Sequence, residues 1–125
     1  MTRLLAECYL HLLWVECVMA FGNLQTLYKQ VQKKKTEARN SVRPRRADEL
    51  CHVMDIACVF YPKQVLCLQR SAATAVLLRQ HGIRAEMVIG AQMLPFKSHA
   101  WVEVAGAIVN DKPYMREIYQ ELERC

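Results

Sequence analysis

The chain has 125 residues, 53% of them apolar and 23% charged, with a formal net charge of +5. This length allows one hydrophobic core and excludes two, and the composition excludes a disordered chain. The positive charge is concentrated: Lys29, Lys33, Lys34, Lys35, Arg39, Arg43, Arg45 and Arg46 fall in one segment with only Glu37 among them. Such a run is a solvated helix end with a linker, or a contact for an acidic partner, a membrane surface or nucleic acid. Basic charge without interleaved stacking aromatics does not support nucleic-acid binding, so none is expected.

Six cysteines raise the question of a disulfide scaffold. No charged, apolar and small-residue segments follow one another as a secretory signal requires, and Cys8, Cys17 and Cys58 sit inside apolar helical patterns. Reduced thiols in a cytoplasmic protein are therefore expected. There is no CxxC pair, and Cys51, His52, Cys58 and Cys67 lack the spacing of a structural zinc site, so neither a metal nor another cofactor is expected.

In chain order, residues 3 to about 31 contain no proline and one glycine, Gly22, and predict a long helix or two. Apolar residues nearly encircle this segment, with Glu7 and Glu16 on opposite sides. Its longest run without a formal charge, Cys17 to Tyr28, falls short of the roughly 18 to 20 apolar residues that span a bilayer. A core or interface helix is expected, with peripheral membrane contact left open. Residues 32–44 predict a helix end and a basic linker. Residues 45–60 return to helical spacing through Leu50, Val53, Met54 and Ala57, ended by Pro62. His52 is expected on the surface of that helix.

The next helix is predicted from Cys67 to about Gln80, with a narrow small-residue face at Leu68, Ala72, Ala75 and Val76, and with Gly82 as its C-terminal stop. Alternation at Ile83, Ala85, Met87 and Ile89 predicts a strand, and residues 92–98, containing Pro95, a loop. His99 to Val104 alternates again, and residues 108–111 form the partner strand. Spacing at Met115, Ile118, Tyr119 and Leu122 predicts a C-terminal helix. Helices first and adjacent antiparallel strands after give an α+β domain over residues 1–125: an N-terminal helical segment and basic linker (1–44), then a core (45–125).

Cys67, His99 and Asp111 carry the chemistry. A thiol attacks as its thiolate, which is favoured by unpaired N–H groups at a helix N-terminus and by a neighbouring imidazolium. Cys67 opens its helix with no Ser, Thr, Asp or Asn before it to cap those N–H groups. They remain available to the thiolate and to a later oxyanion. If Val104, Ala105 and Gly106 form a three-residue hairpin loop with Gly106 left-handed, Trp101 faces Val109 and His99 faces Asp111. Opposed residues share a sheet face, so the carboxylate would orient the imidazole. Taken singly, each residue has a plain alternative: a buried thiol, a strand-end histidine, and Asn110–Asp111 as turn formers.

The run CLQRSAATAVLLRQHGI, the strand EMVIGA and the stretch HAWVEVAGAIVND resemble the transglutaminase-like cysteine peptidases of lasso-peptide biosynthesis, in the form where the peptidase is a separate small protein. The resemblance covers Cys67 to Asp111. It implies a papain-like or transglutaminase-like fold with a nucleophile helix packed on a small antiparallel sheet. Cys67 would be the nucleophile, His99 the base and acid, and Asp111 the orienting group. The implied substrate is a ribosomally made precursor peptide. The implied partners are a leader-binding recognition protein, for which this length leaves no room, and an ATP-dependent macrolactam-forming cyclase acting afterwards. Papain-like peptidases place an oxyanion-hole glutamine shortly before the cysteine. This chain has Tyr61 there, so the Cys67 backbone N–H, with Gln64 nearby, is the expected oxyanion site. Two other readings stay open: an acyltransferase with the same three residues, and a non-catalytic basic binding module. Cys67→Ala separates the module from both enzymes, and the acyl acceptor separates the enzymes from each other.

Overall fold

The computed structural model describes residues 2–34, 44–62, 65–81, 83–93, 96–104, 106–111 and 115–125. Gln64, Gly82, Pro95, Ala105 and residues 35–43 of the basic segment lie outside them. The elements are α1 (Thr2–Phe21), α2 (Leu24–Lys34), α3 (Pro44–Val59), α4 (Cys67–Gln80), β1 (Ala85–Met93), β2 (Phe96–Val104), β3 (Ala107–Ile108), α5 (Met115–Ile118) and β4 (Gln120–Arg124). The four strands form one sheet in the order β3-β2-β1-β4, each described pairing antiparallel. This is the expected α+β arrangement of helices on a small antiparallel sheet.

The predicted N-terminal helix is two helices. Gly22 and Asn23 break it, and the Asn23 side chain caps α2 by accepting from the Thr26 backbone N–H at 3.1 Å. In α1, Cys8, Leu12 and Val15 enter the core, while Leu10 and Phe21 stay exposed. The expectation that this region is too short for a bilayer does not hold. Arg3–Phe21 is long and apolar enough to cross a membrane by length and composition, although it contains Glu7 and Glu16. A run free of charge is cut at Glu16, but the helix as a whole stays apolar across both glutamates. Both glutamates are engaged within the fold, Glu7 with His81 at 3.3 Å and Glu16 with the Tyr61 hydroxyl at 2.9 Å.

Helix α4 occupies the middle of the molecule, touching α1, α2 and α3 on one side and β1 and β2 on the other. Ser71 through Arg79 are all buried, so the expected narrow packing face is in fact the whole circumference. Alanines at 72, 73 and 75 let neighbouring backbones approach from every side. The helix-facing side of the sheet supplies Ala85 and Met87 from β1 and Val102 and Val104 from β2 to the same core.

Arg79 is a charged residue buried beside this core, 3% exposed. Its guanidinium donates to three backbone carbonyls: Val31 at 2.6 Å, Ala85 at 3.0 Å and Cys125 at 2.9 Å. Val31 belongs to the last turn of α2, whose carbonyls lack helical partners. One side chain thus caps α2, holds the entry to β1 and anchors the end of β4.

The strands differ from expectation in two places. Of the predicted loop 92–98, the described residues 92, 93 and 96–98 are strand: β1 and β2 pair from Ala85↔Val104 out to Met93↔Phe96. His99 therefore lies inside β2, opposite Gly90, rather than at a strand start. The C-terminal helix stops after Ile118, and the residues from Gln120 onward pair with β1, with a register shift between Ile89 and Gly90. The open edge of β1 offers a run of backbone hydrogen bonds, including Cys125 with Met87 in both directions. Such a run outweighs a helical pattern carried by four apolar side chains, two of which, Ile118 and Leu122, remain exposed.

Replacing Arg79 with methionine keeps most of the volume but strands three buried carbonyls. A charge-assisted hydrogen bond contributes about 1.5–3 kcal/mol, so Arg79→Met should lower unfolding stability by about 3 kcal/mol or more. Denaturant titration checks this, and a loss below about 1 kcal/mol would contradict the anchoring role.

Candidate active site

Cys67 is the first residue of α4, as the sequence predicts. Leu66 precedes it in an extended conformation (φ −78°, ψ 161°) and makes no side-chain cap. Gln69 reaches back to accept from the Leu66 backbone N–H at 3.1 Å, which is half of a capping box. The other half needs a side-chain oxygen that leucine lacks. The first-turn N–H groups are thus left for an anion at the Cys67 position.

All six cysteines are free thiols, and their surroundings separate them. Burial pushes the Cys8 thiol up to about 11 and the Cys51 thiol up to about 12, and it raises Cys58 as well. Cys125 is buried. Cys17 is exposed but sits towards the C-terminal end of α1, where carbonyls rather than N–H groups face outward. Cys67 alone combines partial exposure with a helix N-terminus.

His99 and Asp111 are in contact: His99 Nε2 donates to Asp111 Oδ2 at 2.5 Å. The carboxylate accepts only, so Nε2 carries a proton in this contact and Nδ1 stays outside it. The ring is 20% and the carboxylate 13% exposed, leaving the ring the more accessible partner.

The route to this contact is not the predicted hairpin. β2 and β3 pair as Val104↔Ala107 and Glu103↔Ile108, one residue out of the expected register. Two positions thus separate the paired residues Val104 and Ala107, and Gly106, the second of them, is at φ 83° as anticipated. Continued, this ladder would set Asp111 on the wrong face. Instead it stops: after Val109 donates to the Val102 carbonyl at 3.0 Å, a side chain takes the next rung. Asn110 Oδ1 accepts from the Val102 N–H at 2.7 Å, and its Nδ2 donates to Ser71 Oγ on α4 at 3.2 Å. The chain bends there and brings Asp111 to His99.

The same bend is tied to the helix that starts with Cys67. Arg70 donates to the Asn110 carbonyl at 3.4 Å and stands 4.0 Å from Asp111 Oδ2, with Asp55 of α3 at 3.7 Å on its other side. Positions 67, 70 and 71 share one helical face, so Cys67 lies one turn before the two residues that grip the bend. No hydrogen bond joins the thiol to the His99 ring among the described residues. Apo catalytic pairs are often longer than their working distance. Arg70, Ser71 and Asn110 were missed as contributors, because polar residues near a helix start and at a strand end also occur for local reasons.

Tyr61, in the place of the papain glutamine, donates its hydroxyl to Glu16 and meets the Tyr9 ring at a tilt of 51° with centroids 5.2 Å apart, so it is committed to packing against α1. Gln64 is not among the described residues. His52 is exposed on α3, as expected.

The transglutaminase-like superfamily model matches residues 11–124. The chain is similar to the microcin J25-processing protein McjB of Escherichia coli, with 47% identity over 51 residues. That match covers 41% of this chain and 24% of McjB, so it spans about a quarter of the relative's length. No solved structure matches. With a family match running from α1 into β4, and a cysteine-led helix packed on an antiparallel sheet that carries the histidine, the chain belongs to the transglutaminase-like superfamily.

Proposed function

We propose that this protein is a cysteine peptidase that removes the leader from a lasso-peptide precursor. The observation that carries the reading is the His99–Asp111 pair, gripped from α4 by residues one turn after an uncapped cysteine. The similarity to a microcin-processing protein supports the choice of substrate.

In this reading Asp111 holds His99 through Nε2, so that Nδ1 takes the proton of Cys67. The thiolate sulfur attacks the carbonyl carbon at the leader–core junction. The resulting oxyanion accepts from the Cys67 backbone N–H, with Gln64 as a second candidate donor. His99 then protonates the leaving amine, which departs as the core N-terminus, and the leader remains as a thioester on Cys67. Water, deprotonated by His99, hydrolyses that thioester and restores the thiol. Asp111 stabilises the imidazolium in both halves without taking the proton itself. No cofactor enters these steps.

A separate leader-binding protein is proposed to deliver the precursor, raising its effective concentration at Cys67. A cyclase would then use the freed amine to close a macrolactam. Free thiols at all six cysteines support a reducing, cytoplasmic setting.

Two outcomes test this by mass spectrometry of precursor peptide incubated with the protein. Cys67→Ala should abolish cleavage, and Asp111→Asn should slow it by about 10³–10⁴-fold through loss of the correct tautomer. Persistence of cut product with Cys67→Ala would sink the assignment. Cleavage by wild-type protein should rise at least about tenfold when the leader-binding partner is added. Equal rates with and without it would remove the partner from the scheme.

A further inference from the structure

A hydrogen bond at one nitrogen fixes a point on an imidazole but not its plane. Held only at Nε2 by Asp111, the His99 ring could still tilt about that contact and swing Nδ1 away from any thiol. A second constraint is present. The Tyr119 ring lies against the His99 ring, with centroids 5.3 Å apart and planes inclined by 26°. Trp101 flanks both, at 6.3 Å from His99 and 6.4 Å from Tyr119.

This aromatic wall is itself built in. The Trp101 indole N–H donates to Glu103 Oε2 at 2.9 Å, and Glu103, 3% exposed, is held by Arg124 of β4 at 3.1 Å. Gly90 faces His99 across the ladder. A Cβ on Gly90 would come within 2.7 Å of the Trp101 ring and 2.9 Å of the Tyr119 Cβ. The wall therefore occupies space that any other residue at position 90 would take.

We propose that Tyr119 is a positioning residue: its ring, backed by Trp101, sets the plane of His99 so that Nδ1 addresses Cys67. The proposal rests on the peptidase reading given above. It assigns the segment after α5 a part in the site, through Tyr119 on His99 and Arg124 on Glu103. The stacked ring matters in this role, and the tyrosine hydroxyl does not.

The test uses full-length protein and iodoacetamide, with Cys67 labelling followed by peptide mapping near pH 6.5. In wild type, Cys67 should label faster than Cys17, and His99→Ala should remove the difference. If Cys67 labels no faster than Cys17, the peptidase reading fails, and this inference with it. Given an activated Cys67, Tyr119→Leu should slow its labelling about tenfold, while Tyr119→Phe stays within about twofold of wild type. Melting temperature is read for each variant, and Tyr119→Met replaces the leucine variant if that one does not fold. Wild-type labelling in the leucine or methionine variant would overturn the role of Tyr119 alone. So would a phenylalanine variant as slow as leucine, because a role in packing or through the hydroxyl would then account for the residue.

Discussion

The fold depends on one buried guanidinium at the end of one enclosed helix. Helix α4 has no solvent face from Ser71 to Arg79, and a helix packed on every side has no direction in which to slide. Arg79 closes its C-terminal end on carbonyls from α2, β1 and the residue after β4. The opposite end is the Cys67 end. The nucleophile candidate thus stands at the free tip of a strut whose base and sides are fixed, and neighbouring elements are placed relative to that strut.

The sheet contributes its two faces unequally. One side of β1 and β2 packs on α4 and fills the core with Ala85, Met87, Val102 and Val104. The alternate residues, His99, Trp101 and Glu103, share the other face with Gly90 and Glu86. Period-two alternation thus puts the residues packed on α4 on one face and His99 with its aromatic and acidic neighbours on the other. Asn110 and Arg70 join the two layers at the strand's end, where the ladder has stopped and side chains take over its hydrogen bonds.

The local signals for α4 were strong, and its start at Cys67 was legible because an uncapped apolar residue precedes a long helical pattern. The meeting of His99 and Asp111 was legible too, but not its cause. Gly106 signalled a left-handed turn residue, yet a two-residue and a three-residue loop both satisfy that signal, and the register depends on the choice. Nothing local announces that Asn110 will replace a backbone rung. Arg79 left only a faint mark, a lone charge in VLLRQ, since its partners lie far away in sequence. The C-terminal pattern misled for the same reason: Met115, Ile118, Tyr119 and Leu122 have helical spacing, but the vacant edge of β1 decides what the chain does beyond residue 118. In that last segment long-range hydrogen bonding overrode local periodicity.

β4 gives the molecule an uneven resistance to opening. It is a short edge strand with an irregular register, and Gln120, Glu121 and Leu122 along it are exposed. Its buried contacts are gathered at its end, where Cys125 joins the core and Arg79 holds the Cys125 carbonyl, whereas the helices around α4 share a continuous core. Amide protons of β4 therefore belong to the class that exchanges through local excursions, those of α4 to the class that waits for global unfolding. Each excursion of β4 loosens Arg124 from Glu103. The helical core does not depend on the Arg124–Glu103 contact, so an opening confined to β4 would loosen the setting of His99 before it reached the fold as a whole.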